Sequence, residues 1–189
     1  ITGRYDNVTY RLREETLPSR QDSRDFSAFT PKVAFNYKLK DWMSVYTSYG
    51  LSFDSPAKNE LESVDPGMLY NQDLKPQESK NLELGIKGYL YEHERLFFRK
   101  VLFEATLFNI WINNEVVPFE VFGDVFFRNA ANTNRRGLEL GSGLEIYRNL
   151  NFTLAYTYSD FVYQEYTART IEVDDLGNIE TFSGLEMFL

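Results

Sequence analysis

The sequence predicts an all-β fold in which antiparallel strands follow one another along the chain. Apolar and polar residues alternate with a period of two in most segments, whereas a helix would need apolar spacings of three and four. The connections between these runs are short and long in turn, with tight turns near Asp41, His93 and Asn149. These observations together indicate about eight strands joined as consecutive hairpins.

The alternation is clearest in the hairpin from Lys32 to Phe53, which reverses at Lys40-Asp41. Large apolar residues occupy one face of this hairpin, and small or polar residues occupy the other. The apolar face contains Val33, Phe35, Val45 and Tyr49, and the polar face contains Asn36, Ser44 and Ser48. Each strand therefore separates two different environments.

The same two-faced pattern recurs in residues 81–90, 136–147 and 151–160. Residues 101–117 are apolar on both faces beyond Thr106, so that Glu104 alone indicates which face is polar. In residues 1–14 the alternation changes phase near Asp6, which predicts a β-bulge at that point.

Alternation alone does not distinguish a soluble β-sandwich from a membrane β-barrel. The longer connections are predicted at residues 15–26, 54–77, 118–124 and 168–181, and all fall at one end of the hairpins. Short turns at one end and long loops at the other are typical of an outer-membrane barrel. Runs of about ten residues also suit a tilted membrane crossing better than an ordinary soluble strand.

The composition excludes several classes of function. The chain contains no cysteine, which removes disulfides, thiolate metal sites and cysteine nucleophiles. Its formal net charge of −8 disfavours nucleic acid as a partner. The single histidine, His93, lies in a predicted turn, and no phosphate-binding glycine loop or nucleophile elbow is present. We therefore expect neither enzymatic activity nor a cofactor, and no uninterrupted apolar run is long enough for a transmembrane helix.

Several segments, in order along almost the whole chain, resemble the barrel of TonB-dependent outer-membrane receptors. The hairpin PKVAFNYKLKDWMSVYTSYGLSFDSP resembles a strand, tight turn and aromatic strand of that family. A Pro-Glu-x-Ser pattern that continues to Glu-x-Gly-x-Lys is carried by Pro76, Glu78, Ser79, Glu83, Gly85 and Lys87. An Asn-Ala pattern followed by Arg-Gly-x-Glu is carried by Asn129, Ala130, Arg136, Gly137 and Glu139.

This resemblance implies an antiparallel up-and-down transmembrane β-barrel of about 22 strands that closes around an N-terminal plug. Residues 1–189 would form about eight of those strands, with the plug domain and the remaining strands absent. The implied function is import of a scarce nutrient, foremost a ferric siderophore or similar metal chelate. The implied partners are outer-membrane lipid, the nutrient ligand, and TonB through the plug region, in the outer membrane of a Gram-negative-type bacterium.

Two other interpretations stay open at this point. One is a small eight-strand outer-membrane barrel with a structural or adhesion role. The other is a soluble β-sandwich that acts as a binding module.

Three residues are candidates for substrate binding. Tyr70 lies near the tip of a long loop, where it is expected to be exposed beside Met68 and Leu69; packing within the loop is the simpler alternative. Arg128 and Arg135 lie near the outer half of a strand, where an arginine cluster could bind an anionic ferric chelate through charge-assisted hydrogen bonds. The simpler alternative is a solvated loop base.

Two carboxylates, Glu83 and Glu139, are predicted to share the face that lines the lumen. They could contact the plug or line a substrate path. Alternatively, they provide ordinary lumen polarity and pair with Lys87 or Arg136.

Overall fold

A computed structural model gives the fold. It describes residues 1–13, 21–65, 67–90, 98–121, 123–146, 150–173 and 179–186. Within these ranges the chain contains strands and turns, and none of the described residues is helical. Accordingly, nothing in the described part of the chain is a helix that is long and apolar enough to cross a membrane.

Eight strands form one antiparallel sheet, and the all-β, up-and-down prediction is confirmed. The strands are β1 (Thr2–Arg13), β2 (Gln21–Lys40), β3 (Met43–Asp54), β4 (Gln77–Leu90), β5 (Phe98–Val121), β6 (Asp124–Ile146), β7 (Leu150–Val173) and β8 (Ile179–Glu186). Each strand pairs with the next one along the chain, and in the described ladder β1 and β8 are the two edges. A single sheet with two edges is neither the two-layered sandwich nor a small closed eight-strand barrel.

The pairing register fixes which residues share a face, because directly opposed residues of antiparallel strands project to the same side. Val33 is opposite Tyr49, and Tyr49 is in turn opposite Leu82. The polar residues pair likewise, with Ser48 opposite Glu83. The predicted division of the hairpin into two faces is therefore confirmed, and it extends across the sheet.

We call these two sides the apolar face and the polar face. The apolar face includes Phe35, Tyr37, Leu82, Leu84, Leu107, Leu140, Leu154, Tyr156 and Tyr158, each more than a third exposed. Burying each such side chain is worth about 1.5–3 kcal/mol. An apolar surface of this extent marks a place where the sheet meets a membrane or another macromolecule.

A small buried cluster lies at the end of the sheet where β3 continues into β4. It contains Phe26, Leu61, Tyr70 and Leu74, with Tyr10, Leu12, Phe53 and Val116 packed against it. Phe26 belongs to the polar side of β2, since it alternates with Lys32 and not with Val33. We call the side of the sheet that carries the polar face the inner side. At this end of the sheet the inner side is apolar, because a folded loop covers it.

The predicted β-bulge near Asp6 is wrong. β1 pairs with β2 from Thr2 to Arg13 without any shift of register. The phase change in the sequence has a different cause: Tyr5 and its partner Phe29 lie on the apolar face, whereas Tyr10 packs with the cluster on the opposite side. The apolar residues change sides although the backbone continues unchanged.

Three of the predicted long connections are shorter than expected because strands extend into them. β2 begins at Gln21, β5 and β6 are separated by residues 122–123 alone, and β7 continues to Val173. Gly123, with φ of 91°, supplies the positive backbone angle that such a tight reversal requires. The predicted connection between Asp54 and Gln77 is confirmed as residues 55–76. The turns near His93 and Asn149 lie outside the described residues.

Candidate functional site

The centre of the polar face holds an open cavity of about 630 Å³. It is bounded by strands β3 to β7, whose register brings one polar position of each strand to the same level. The charged and hydroxyl side chains of the polar face that line it are Tyr46, Glu83, Glu104, Thr106, Arg135, Glu139, Thr157 and Ser159. This wall carries more carboxylates than cations, and it is the first candidate surface for binding.

Tyr46 organises the middle of this wall. Its hydroxyl donates to Glu104 Oε1 at 2.9 Å and shares a hydrogen bond with Thr106 Oγ1 at 2.6 Å. The Lys87 Nζ lies 5.2 Å from the centre of the Tyr46 ring, within the range of a cation–π contact. Three strands are thereby joined through one phenol.

The glycines of the two sequence patterns make room for aromatic rings on this face. A Cβ atom added to Gly85 would lie 2.3 Å from Cζ of Tyr46. One added to Gly137 would lie 2.6 Å from Cζ of Phe108 and 2.0 Å from the carbonyl oxygen of Tyr158. Each ring therefore occupies the space beside a glycine of the next strand that a side chain would otherwise fill, an arrangement that protects the bare backbone of a strand glycine.

Glu83 and Glu139 share the polar face as expected, but the prediction that Arg136 pairs with them is wrong. Glu83 accepts a hydrogen bond from Ser48 Oγ at 3.1 Å. Arg136 instead forms an ion pair of 3.0 Å with Asp160, and these two residues are directly opposed in the β6–β7 ladder. Because Arg136 is adjacent to Arg135 in a strand, its side chain projects to the other side of the sheet.

Arg135 lies on the polar face and is already engaged. It forms an ion pair of 2.9 Å with Glu115, and its guanidinium lies 4.8 Å from the centre of the Phe161 ring. Glu115 follows Asn114, which has a positive φ of 56° at an irregularity in the β5–β6 ladder. This irregularity turns the Glu115 carboxylate toward Arg135. Its other oxygen, Oε2, is buried and has no hydrogen-bond partner.

Arg128 lies nearer the start of β6, in a different part of the sheet from Arg135. Its guanidinium is 5.0 Å from the centre of the Phe119 ring, and it borders a cavity of about 390 Å³. Arg128 and Arg135 are seven positions apart in an extended strand, which corresponds to about 23 Å of backbone. The structure does not bring the two arginines together into one cluster.

The connection between β3 and β4 forms the other side of the Arg128 cavity. We call residues 55–65 and 67–76 of this connection the strap. Asn71, Asp73, Leu74 and Lys75 of the strap line the cavity opposite Asn114, Arg128 and Asn129 of the sheet. The mixture of amides and charged groups suits a polar ligand.

The predicted exposure of Tyr70 is wrong, because Tyr70 is 1% exposed within the buried cluster. Burial raises the pKa of its phenol above the usual value, and the nearby Asp22 carboxylate and Tyr10 add to this effect. Met68, in contrast, is 51% exposed as expected. Packing within the loop is therefore what the structure shows for Tyr70, and contact with a ligand stays a prediction that would require the strap to open.

Sequence reasoning did not identify Tyr46, Thr106 or the strap contacts of Arg24. Tyr46 could have been found from its position, since it is an aromatic residue on a face that is otherwise small and polar. No sequence signal marks Arg24, whose partners are 48 and 50 residues away along the chain. Within the described ranges, no group of three or more acidic, histidine or cysteine side chains is arranged to hold a metal ion.

Comparison with known proteins identifies the fold independently. A family model described as the β-barrel of TonB-dependent receptor-like proteins matches residues 1–183. Three solved structures superpose with TM-scores between 0.57 and 0.63. The chain spans less than a third of the length of each of them, so it corresponds to one section of their folds.

The first of these structures is a double mutant of the Serratia marcescens hemophore receptor HasR with its hemophore HasA and heme, at 17% identity and a TM-score of 0.59, covering 88% of this chain and 30% of that one. The second is the copper transporter OprC, at 16% identity and a TM-score of 0.63, covering 85% of this chain and 26% of that one. The third is the ferric-catecholate import receptor Fiu from E. coli K12, at 21% identity and a TM-score of 0.57, covering 84% of this chain and 21% of that one.

The contact between Tyr46 and Gly85 generates a test of the wall. We expect Gly85→Ala to destabilise the complete protein by about 1–3 kcal/mol, because the methyl group displaces a ring that two hydrogen bonds hold in place. Denaturant unfolding measures the change. Gly141→Ala is the matched control, since its Cβ would find its nearest neighbour at 3.8 Å, and it should change stability by less than about 0.5 kcal/mol.

The same contact predicts strong coupling between the two residues. In a Tyr46→Ala background, Gly85→Ala should no longer lower the free energy of unfolding, because the ring that the methyl group would displace is absent. An equal cost of Gly85→Ala in both backgrounds would show that the ring does not cover the glycine.

Proposed function

The chain belongs to the TonB-dependent receptor β-barrel family, and from this premise we propose that it forms part of the barrel wall of an outer-membrane receptor that imports a scarce nutrient. Members of this family are outer-membrane β-barrels of Gram-negative bacteria, and the family consists of receptors and not of enzymes. The observation that carries the proposal is the match of residues 1–183 to the barrel domain of that family.

The two faces of the sheet support this assignment. In a barrel of about 22 strands the apolar face meets outer-membrane lipid and the polar face lines the lumen. Each strand from β2 to β7 has a hydrogen-bonded neighbour on both sides, as the dry interior of a bilayer requires. The edges of β1 and β8 would then pair with the remaining strands of the barrel.

The proposed cargo is a ferric siderophore or a similar metal chelate. The supporting observation is that Arg128 borders a polar cavity at the end of the sheet that carries the strap, and Arg135 lies on the same wall. Guanidinium groups bind anionic oxygen ligands through paired, charge-assisted hydrogen bonds. TonB would act through a plug region inside the barrel, with the carboxylates Glu83 and Glu139 on the wall that faces this plug.

Transport is tested by disrupting the gene that encodes this chain. Under iron limitation, we expect the disrupted strain to lose uptake of radioactive iron from one chelate in a panel of ferric catecholates, ferric hydroxamates and haem. Disruption of TonB should cause the same loss. Uptake that is intact for every chelate and for cobalamin would contradict the proposal, and uptake that is independent of TonB would contradict it too.

The lipid-facing assignment predicts a cost for a charge on the apolar face. Leu140 lies between Ala105 and Tyr156 on this face and is 42% exposed. We expect Leu140→Arg to destabilise the barrel in lipid vesicles by about 2–4 kcal/mol. Thr157→Arg, on the polar face beside Glu139, is the matched control and should cost less than about 1 kcal/mol. Equal effects would show that both faces meet water.

Arg128 provides a test of recognition. We expect Arg128→Gln to weaken binding of the transported chelate about 10- to 100-fold, since a hydrogen bond between charged groups contributes about 1.5–3 kcal/mol. Fluorescence quenching by the chelate measures the affinity. Arg11→Gln changes an exposed arginine on β1 and should leave the affinity unchanged. If both variants bind equally well, the cargo does not contact Arg128.

A further inference from the structure

The strap is much longer than its ends require. Asp54 at the end of β3 and Gln77 at the start of β4 are directly opposed in the ladder, and a hairpin loop of two to five residues could join them. The chain uses residues 55–76 instead. These residues reach β2 on one side and β6 on the other, so that they cross the inner side of the sheet at this end.

On the β2 side the strap is held by two adjacent inward positions. The Asp22 carboxylate accepts hydrogen bonds from the Tyr70 main-chain N–H at 3.2 Å and from Gln72 Nε2 at 3.0 Å. Arg24 donates to the main-chain carbonyls of Gln72 and Leu74, the latter at 2.6 Å. Both residues form hydrogen bonds with main-chain groups of the strap. They therefore fix the path of its backbone and not only the position of one side chain.

On the β6 side the strap is held by an amide that pairs with it twice. Asn129 Oδ1 accepts from the Lys75 main-chain N–H at 2.6 Å, and Asn129 Nδ2 donates to the Lys75 carbonyl at 2.8 Å. The same Nδ2 also donates to the carbonyl of Asn114 at 2.7 Å. Asn71 Nδ2 adds a weaker bond of 3.3 Å to the carbonyl of Phe127.

Between these two attachments the strap has its own core. Leu61, Tyr70 and Leu74 are each no more than 1% exposed, and all three pack with Phe26 of β2. A main-chain hydrogen bond of 2.7 Å from Asn71 to Leu61 closes the strap upon itself. A mobile lid has few buried contacts and an exposed backbone. The strap has the opposite properties, because lifting it would expose three apolar side chains and unpair main-chain groups at both attachments.

We propose that the strap is a permanent part of the wall, closed before any cargo arrives, with Asp22, Arg24 and Asn129 as the positioning residues that hold it. Its consequence for binding rests on the proposed function: the cavity beside Arg128, half of which the strap provides, is preformed and not induced by the ligand. A preformed site avoids the entropic cost of ordering a loop when the ligand binds.

The first test measures proximity in the absence of cargo. Residues 1–189 contain no cysteine, so Asp22→Cys with Gln72→Cys introduces one pair into this section of the complete protein, in outer-membrane vesicles washed free of iron chelates. Any cysteine elsewhere in the complete protein is first replaced by serine. We expect this pair to form a disulfide under mild oxidation by copper-phenanthroline at least 10-fold faster than Ser23→Cys with Gln72→Cys. Ser23 is the matched control because it is adjacent but lies on the opposite side of β2. Equal rates would overturn the proposal.

The second test measures the order of the strap without altering Asp22 or Gln72. Hydrogen exchange should show the peptide that contains Tyr70 to Lys75 protected in the unliganded protein. We expect Arg24→Gln to accelerate this exchange at least 10-fold, and Arg11→Gln, whose side chain lies on the other side of the sheet beside Ser23, to leave it unchanged. Unprotected exchange in the parent protein would identify the strap as a mobile lid and overturn the proposal, as would protection that survives Arg24→Gln.

Neither measurement uses a cargo, so each is independent of transport. If both measurements give the expected result but no import is found, the proposal of a fixed strap stands and the proposed function is contradicted. If the chelate is imported but both measurements give the opposite result, the proposed function stands and the proposal of a fixed strap is contradicted.

Discussion

The structure depends on one constraint: a single sheet must satisfy its main-chain hydrogen bonds in its own plane while its two sides meet different surroundings. Side chains of a strand alternate strictly, so every residue belongs to one side or the other. Val45 and Ser44 are neighbours in sequence and yet lie on opposite surfaces. From β1 to β4 the register shifts at one place among the described pairs, between Lys38 and Lys40 beside the tight turn, so those surfaces are continuous across the rest of the ladder. A slip by one residue anywhere would move an apolar row to the polar side.

The same constraint explains why the apolar residues change sides within one strand. In β2, Phe35 and Phe29 are on the apolar face, and both are more than 60% exposed. Phe26, three residues earlier, is on the other side and is 6% exposed. The pairing of β2 shows no shift of register from Phe26 to Phe35, so the change follows from the surroundings. At the level of Phe26 the side that carries Phe29 and Phe35 becomes polar, since Thr9 and Asp25 lie on it and form a hydrogen bond of 2.6 Å. The strap then supplies an apolar contact on the inner side.

The sequence alone was sufficient for the features that depend on local alternation. The faces of the Lys32–Phe53 hairpin could be predicted because each residue's side follows from its neighbours. The bulge near Asp6 was wrong for an instructive reason: alternation reports where apolar contacts are, and a change of contacts resembles a change of backbone. The contacts of the site could not be predicted, because they join distant parts of the chain. Asp22 and Gln72 are 50 residues apart, and Tyr46 and Thr106 are 60 apart.

The polar wall shows why a charged residue in a family pattern need not bind a ligand. Glycine and carboxylate recur at Gly85 and Glu83 of β4 and at Gly137 and Glu139 of β6. The glycines leave room for the rings of Tyr46 and Phe108, which a Cβ atom at either glycine would displace. Such contacts stabilise the sheet itself. Under the proposed function, specificity for a cargo would come from groups that differ from strand to strand. Arg128 and Lys75 are such groups, since they border a cavity where the strap meets β6 that no regular alternation of strands would produce.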